Sequence, residues 1–169
     1  GHLILQALSD IKNCFGLVLI GTPPLKKPLK MVEAFANDQR LGLLFKEQLS
    51  LEEKGSFIQF IGCDGDNAEL AKEALELTDA KFRSDITKSL LSDILSDELE
   101  VLKNVEFPVA LIARKDDRLL NKDYYERITF KKLWMNRIQY IDNSGHTPHL
   151  ENPLEFNKLI SEFIFSAGF

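Results

Sequence analysis

Residues 108–120 read Pro108-Val109-Ala110-Leu111-Ile112-Ala113-Arg114-Lys115-Asp116-Asp117-Arg118-Leu119-Leu120, an unbroken apolar run that gives way to charge. An apolar run of strand length without polar alternation marks a strand buried on both faces, and such strands belong to parallel sheets covered by helices. Proline is tolerated at its first position, where no ladder hydrogen bond is lost. A run of the same kind lies upstream, Gly16-Leu17-Val18-Leu19-Ile20-Gly21, bounded by glycines and followed by Thr22-Pro23-Pro24, which must leave the sheet. Downstream, the pattern predicts a helix over 122–132, a third strand over 137–141 and a closing helix over 153–165. That last helix has proline in its first turn and Phe156, Leu159, Ile160, Phe163 and Ile164 on one face. Strand, helix, strand, helix in this order implies parallel crossovers and an α/β fold.

Working outward, residues 1–11 place Leu3, Ile4, Leu5, Ala7, Leu8 and Ile11 at largely helical spacing until Asn13 breaks it. Between about residues 26 and 103 no comparable strand run occurs, and the periodicities are helical: 30–35, 39–47, 51–61, 67–77, 79–95 and 97–103. Ser50 ahead of Leu51-Glu52-Glu53 supplies a capping hydroxyl and early carboxylates, both suited to a helix N-terminus. The stretch Cys63-Asp64-Gly65-Asp66-Asn67 carries acidic ligand types but lacks the spacing and terminal glutamate of a calcium loop, so it reads as a turn.

Composition bounds the function. The chain has 169 residues, 44% of them hydrophobic and 28% charged, enough to bury a core with a lobe attached. A formal net charge of −5 leaves no basic field for a polyphosphate backbone, which argues against nucleic acid as a partner. No apolar run approaches the roughly 20 residues of a membrane span. No secretory signal is read at the start. The two cysteines, Cys14 and Cys63, form neither a disulfide framework nor a metal motif, so the expectation is free thiols in a cytoplasmic protein without metal or cofactor.

In an open parallel sheet the working side chains sit beyond the carboxyl ends of the strands. Two segments hold that position here: Arg114-Lys115-Asp116-Asp117-Arg118 and Asp142-Asn143-Ser144-Gly145-His146-Thr147-Pro148-His149. A carboxylate on one and an imidazole on the other can meet, the acid fixing the ring tautomer and stabilising its protonated form. Taken singly, an acidic pair after a strand is usually a solvated turn, and a single histidine a packing residue. His149, beside Pro148 and Leu150, and His2, on the first helix, are read as structural.

These residues together resemble the second half of the α/β-hydrolase fold, over essentially the whole chain. The family's final loop typically reads GHxPHLExP, and Gly145-His146-Thr147-Pro148-His149-Leu150-Glu151-Asn152-Pro153 matches it closely. Its acid loop typically reads GxxDRxxP. Alignment through Asp117-Arg118-Leu119-Leu120 selects Asp117 as the acid, the preferred reading, whereas alignment from Ala113 selects Asp116. Arg114 and Asn121 depart from the family's glycine and proline. Gly1-His2-Leu3-Ile4-Leu5-Gln6-Ala7-Leu8 resembles the tail of the nucleophile elbow GxSxG running into its helix, which would put the serine upstream of Gly1.

The resemblance implies three regions: hydrolase core over 1–25, a helical cap over 26–103, and core again over 104–169 with the acid and histidine loops. It implies a small-molecule acyl ester or related substrate, a Ser-His-Asp triad completed by Asp117 and His146, and no metal or organic cofactor. The apolar residues of that cap, Phe35, Leu41, Leu44, Phe45, Phe57 and Phe60, suit an apolar substrate group, and equally simple cap packing, which is the preferred reading for any one of them. The chain by itself is expected to be inactive, lacking serine and oxyanion donors. The outer edge of the first strand is expected to be unpaired and open to self-association. The alternative is a non-catalytic remnant that binds a partner. A nucleotide-binding domain is disfavoured, since no glycine-rich phosphate loop follows any strand.

Overall fold

A computed structural model describes residues 1–92, 94–115 and 117–168; Asp116, the alternative acid, lies outside the described residues. Helix α1, His2–Ala7, continues as a 3-10 turn to Asp10, ends where Ile11 becomes extended, and is followed by a turn through Asn13 at φ 61°. Strand β1, Leu17–Ile20, follows. Helices α2 (Met31–Ala34), α3 (Leu51–Ile61), α4 (Gly65–Leu77), α5 (Ala80–Leu91) and α6 (Glu98–Lys103) fill the interval before strand β2, Val109–Ala113, with a 3-10 stretch over Gln39–Phe45. Then come α7 (Lys122–Glu126), β3 (Gln139–Tyr140), α8 (Pro148–Glu151) and α9 (Pro153–Ser166).

The sheet has the order β1-β2-β3 with both pairings parallel, Leu17 opposite Val109 and Ile112 opposite Gln139. Side chains of β2 alternate between two cores, as a period of two requires. Val109, Leu111 and Ala113 pack with Leu5, Leu8, Leu102 and Tyr125 from α1, α6 and α7. Ala110 and Ile112 pack with Ile141, Trp134 and Phe163, the last from α9. All five residues of β2 are buried, as the apolar run foretold. β1 is not sandwiched in the same way. Only Leu19 is buried in it, because β2 pairs along one edge and, among the described residues, no strand pairs along the other.

Local sequence explains the helix ends. Ser50 accepts the Glu53 backbone N–H while the Glu53 carboxylate accepts that of Ser50, a complete capping box, and Gly62 closes α3 in the left-handed region at φ 85°. The expected turn at 63–67 shrinks to Cys63 and Asp64, since α4 begins at Gly65. The expected helix over 79–95 stops at Leu91, and that over 122–132 at Glu126. The third strand, expected over 137–141, is shorter: only Gln139 and Tyr140 pair with β2, opposite Ile112 and Ala113, and the chain ahead of it turns through Met135 and Asn136 at φ near 54° and 55°. A separate apolar cluster of Phe57, Phe60 and Leu119 holds α3 against the loop after β2. Among the described residues no helix is long and apolar enough to cross a membrane.

Leu111 is fully buried at the centre of β2. Leu111→Ala is expected to cost about 3 kcal/mol of unfolding free energy, read in urea titration as a lower midpoint at unchanged slope.

Candidate active site

The carboxyl ends of β2 and β3 point the same way, so their loops converge. Asp117, just past β2, is fixed by local bonding: its Oδ1 accepts the Leu119 backbone N–H at 2.9 Å, a turn that short acidic side chains favour. Its other oxygen, Oδ2, accepts from Nδ1 of His146 at 2.9 Å. The Asp117 side chain is only 4% exposed and that of His146 27%, so the pair is largely screened from water while one side of the ring stays open. Donation from Nδ1 leaves Nε2 as the basic nitrogen, the arrangement of a general base held by a buried acid.

Two further contacts hold His146. Its backbone N–H donates to the Ile61 carbonyl at the end of α3, at 3.0 Å. Its ring lies against Gly21, where a Cβ would come within 2.8 Å of Cε1, and Gly21 has φ 55°. Only glycine satisfies both demands. The preceding residue, Gly145, lies against the end of the Glu151 side chain, 2.5 Å from where a Cβ would stand, so a larger residue there would push that carboxylate aside. Glu151 accepts from the Thr147 hydroxyl at 3.0 Å, but its Oε2 is buried without a partner among the described residues. Burial pushes the Glu151 carboxyl above its ordinary range, with the Thr147 hydrogen bond and Arg114 opposing.

Asn121, the departure from proline, accepts the Asp123 and Tyr124 backbone N–H groups as the cap of α7. The acid loop is tied to α2 by Ala36 N–H to Leu119 O at 2.9 Å and Asn121 N–H to Ala34 O at 3.1 Å. These bonds raise one wall of a cavity of about 560 Å³ into which His146 opens. Of the expected apolar residues, Phe35, Leu41, Leu44 and Phe45 line it, whereas Phe57 and Phe60 are buried in the cluster beneath. Phe82, Leu119 and Leu120 were missed by the sequence reading and also line it. The pair Leu119-Leu120, apolar directly after the acid, was the available signal.

His149 stays away from the cavity and packs on Phe156, ring centroids 5.9 Å apart. His2 does not: it lines the same cavity as His146, and its Nδ1 bonds the buried Glu98 carboxylate at 2.9 Å. Gly1 abuts the Thr22 side chain so closely that a Cβ there would overlap it, and Thr22 adjoins Gly21, against which His146 rests. The start of α1 and the imidazole thus face each other across Gly21-Thr22. Cys63 is buried beside Thr147, and Cys14 is half-buried; both are free thiols. Among the described residues no three His, Cys, Asp or Glu side chains are grouped to hold a metal ion.

No protein-family model matches the sequence, and no curated protein matches it either. Solved structures do share its shape. The N-acyl homoserine lactonase AidH, complexed with N-hexanoyl homoserine lactone, superposes with a TM-score of 0.84 at 20% identity, over 97% of this chain and 60% of its own. A proposed aryl esterase from Burkholderia cenocepacia gives 0.72 at 17% identity over 99% of this chain and 61% of its own. The esterase RhEst1 from Rhodococcus sp. ECU1013 gives 0.64 at 20% identity over 90% of this chain and 56% of its own. The chain therefore has the α/β-hydrolase fold, and it spans about 60% of the length of the lactonase it superposes on.

Gly21→Ala is expected to displace the imidazole and cost about 1–3 kcal/mol, whereas Gly55→Ala, in the exposed middle of α3 with open space around it, is expected to stabilise by roughly 0.5–1 kcal/mol. Paired thermal melts check both. A carboxyl with a raised folded pKa binds its proton more tightly when folded, so Glu151 makes stability fall as pH climbs above the unfolded value near 4.5. Glu151→Gln is expected to flatten that decline in urea midpoints taken from pH 4.5 upward.

Proposed function

We propose that this chain is the C-terminal part of a serine hydrolase acting on a carboxylic ester or a related acyl bond. The observation that carries the reading is the 2.9 Å bond from His146 Nδ1 to the buried Asp117 carboxylate, with the ring opening on an apolar cavity. In this reading a serine upstream of Gly1 attacks the acyl carbonyl while His146 Nε2 takes its proton. The imidazolium so formed is stabilised by Asp117 and returns the proton to the departing alcohol, leaving an acyl-enzyme. Water then repeats the sequence, its proton passing through His146 to the serine as the acid is released.

Several features support these roles. Gly1 packs against Thr22 beside the Gly21-His146 contact, so residues just upstream of Gly1 would enter next to the imidazole. Helices over 26–103 supply Phe35, Leu41, Leu44 and Phe45 to the cavity, which suits a cap that receives an apolar acyl or alcohol group. The lactonase and the esterases that share the fold are named for cleaving acyl–oxygen bonds, which favours ester chemistry over other reactions of this fold.

A second reading, a non-catalytic module that binds a partner, draws on the outer edge of β1, which no strand pairs among the described residues, and on the exposed Leu3. The coding sequence ahead of Gly1 separates the two: a strand and GxSxG there favours the enzyme.

With its upstream residues the protein is expected to hydrolyse p-nitrophenyl esters, and Asp117→Asn or His146→Ala to lower kcat by about 10³–10⁴. Residues 1–169 alone are expected to show no hydrolysis that a serine-directed organophosphate abolishes. Wild-type kcat in Asp117→Asn would end this reading.

A further inference from the structure

His2 is the second imidazole on the cavity wall, and its surroundings are costly to build. Glu98 is 1% exposed, and a buried carboxylate is tolerated only when hydrogen bonds replace its water. It accepts the Leu25 backbone N–H at 2.8 Å, Gln6 Nε2 at 3.1 Å and His2 Nδ1 at 2.9 Å. Gln6 in turn accepts the Ser96 backbone N–H at 2.7 Å. These bonds fix the ring with Nδ1 as donor, and its edge packs on Phe35, centroids 6.3 Å apart. The remaining nitrogen, Nε2, makes no hydrogen bond among the described residues, although His2 lines a cavity walled mainly by aliphatic and aromatic groups.

A purely structural staple needs only the donor toward Glu98. With Nδ1 committed to Glu98 and the His2 side chain 30% exposed, the second nitrogen is left accessible to water or to a ligand group in the cavity. His2 also sits on the first turn of α1, beside Gly1 and hence near the Gly21-Thr22 segment that carries His146.

We propose that His2, oriented by Glu98, is a specificity-determining residue that hydrogen-bonds a hydroxyl on the substrate's acyl chain close to the scissile bond. This rests on the acyl-hydrolase reading and names its substrate class: hydroxylated acyl groups whose alkyl tail fills the apolar cavity. A hydroxyl serves the ring in either protonation state, donating to neutral Nε2 or accepting from its protonated form.

The test compares p-nitrophenyl 3-hydroxyhexanoate with p-nitrophenyl hexanoate on the active protein that includes the residues upstream of Gly1, each rate corrected for spontaneous hydrolysis. The wild type is expected to favour the hydroxy ester at least about fivefold in kcat/KM, one net hydrogen bond's worth. His2→Asn keeps a donor where Nδ1 stands and deletes the far nitrogen, so it should lose that preference, read as the ratio of kcat/KM on the two esters. His2→Gln, which reaches toward the Nε2 position, should restore part of it. Equal rates on both esters in the wild type would overturn the proposal without needing any variant. So would a His2→Asn protein that slows both substrates alike or keeps the preference. Failure of the acyl-hydrolase reading is distinct, appearing as no activity on either ester.

Discussion

A parallel strand buried on both faces is the constraint from which the rest of the molecule follows. Val109–Ala113 sends alternate side chains into two different cores, and those cores fix α1, α6 and α7 on one face and α9 on the other. Parallel pairing with β1 and β3 then gathers the outgoing loops at one end of the sheet. Gly21 after β1, Asp117 after β2 and His146 after β3 meet there without any one loop being long. The helices between β1 and β2 close over the same end.

What could be read beforehand follows from how local each cause is. The run Pro108–Ala113 announces its own burial, and the box formed by Ser50 and Glu53 marks the start of α3 to the residue. That an acid after β2 meets a histidine after β3 follows from strand ends, but the choice of Asp117 over Asp116 and of His146 came from the resemblance to the GxxDRxxP and GHxPHLExP loops. β3 is shorter than its apolar pattern suggests because strand length is set by how many residues pair with β2, here two, and pairing is not written in the local sequence. β1 was read as doubly buried from composition alone, which cannot say whether a second neighbour is present.

Contacts between distant segments were the invisible part. Nothing about His2 and Glu98, ninety-six positions apart, hints that they bond, since an acidic residue at the start of a short helix is ordinary on a solvated face. Leu119 and Leu120 were legible as apolar but not as cavity wall, because that depends on the backbone bonds tying their loop to α2. Phe57 and Phe60 show the converse: aromatic residues at helical spacing that serve packing rather than the cavity.

The bond from the His146 N–H to the Ile61 carbonyl makes the helical segment part of the histidine's own mounting. Gly62, in the left-handed region at φ 85°, turns the chain beside Gly145 at this seam. The lobe is therefore not an interchangeable module. A chimera that grafts a foreign lobe onto this base would have to keep a carbonyl where Ile61 presents its own, or leave the histidine loop without that anchor.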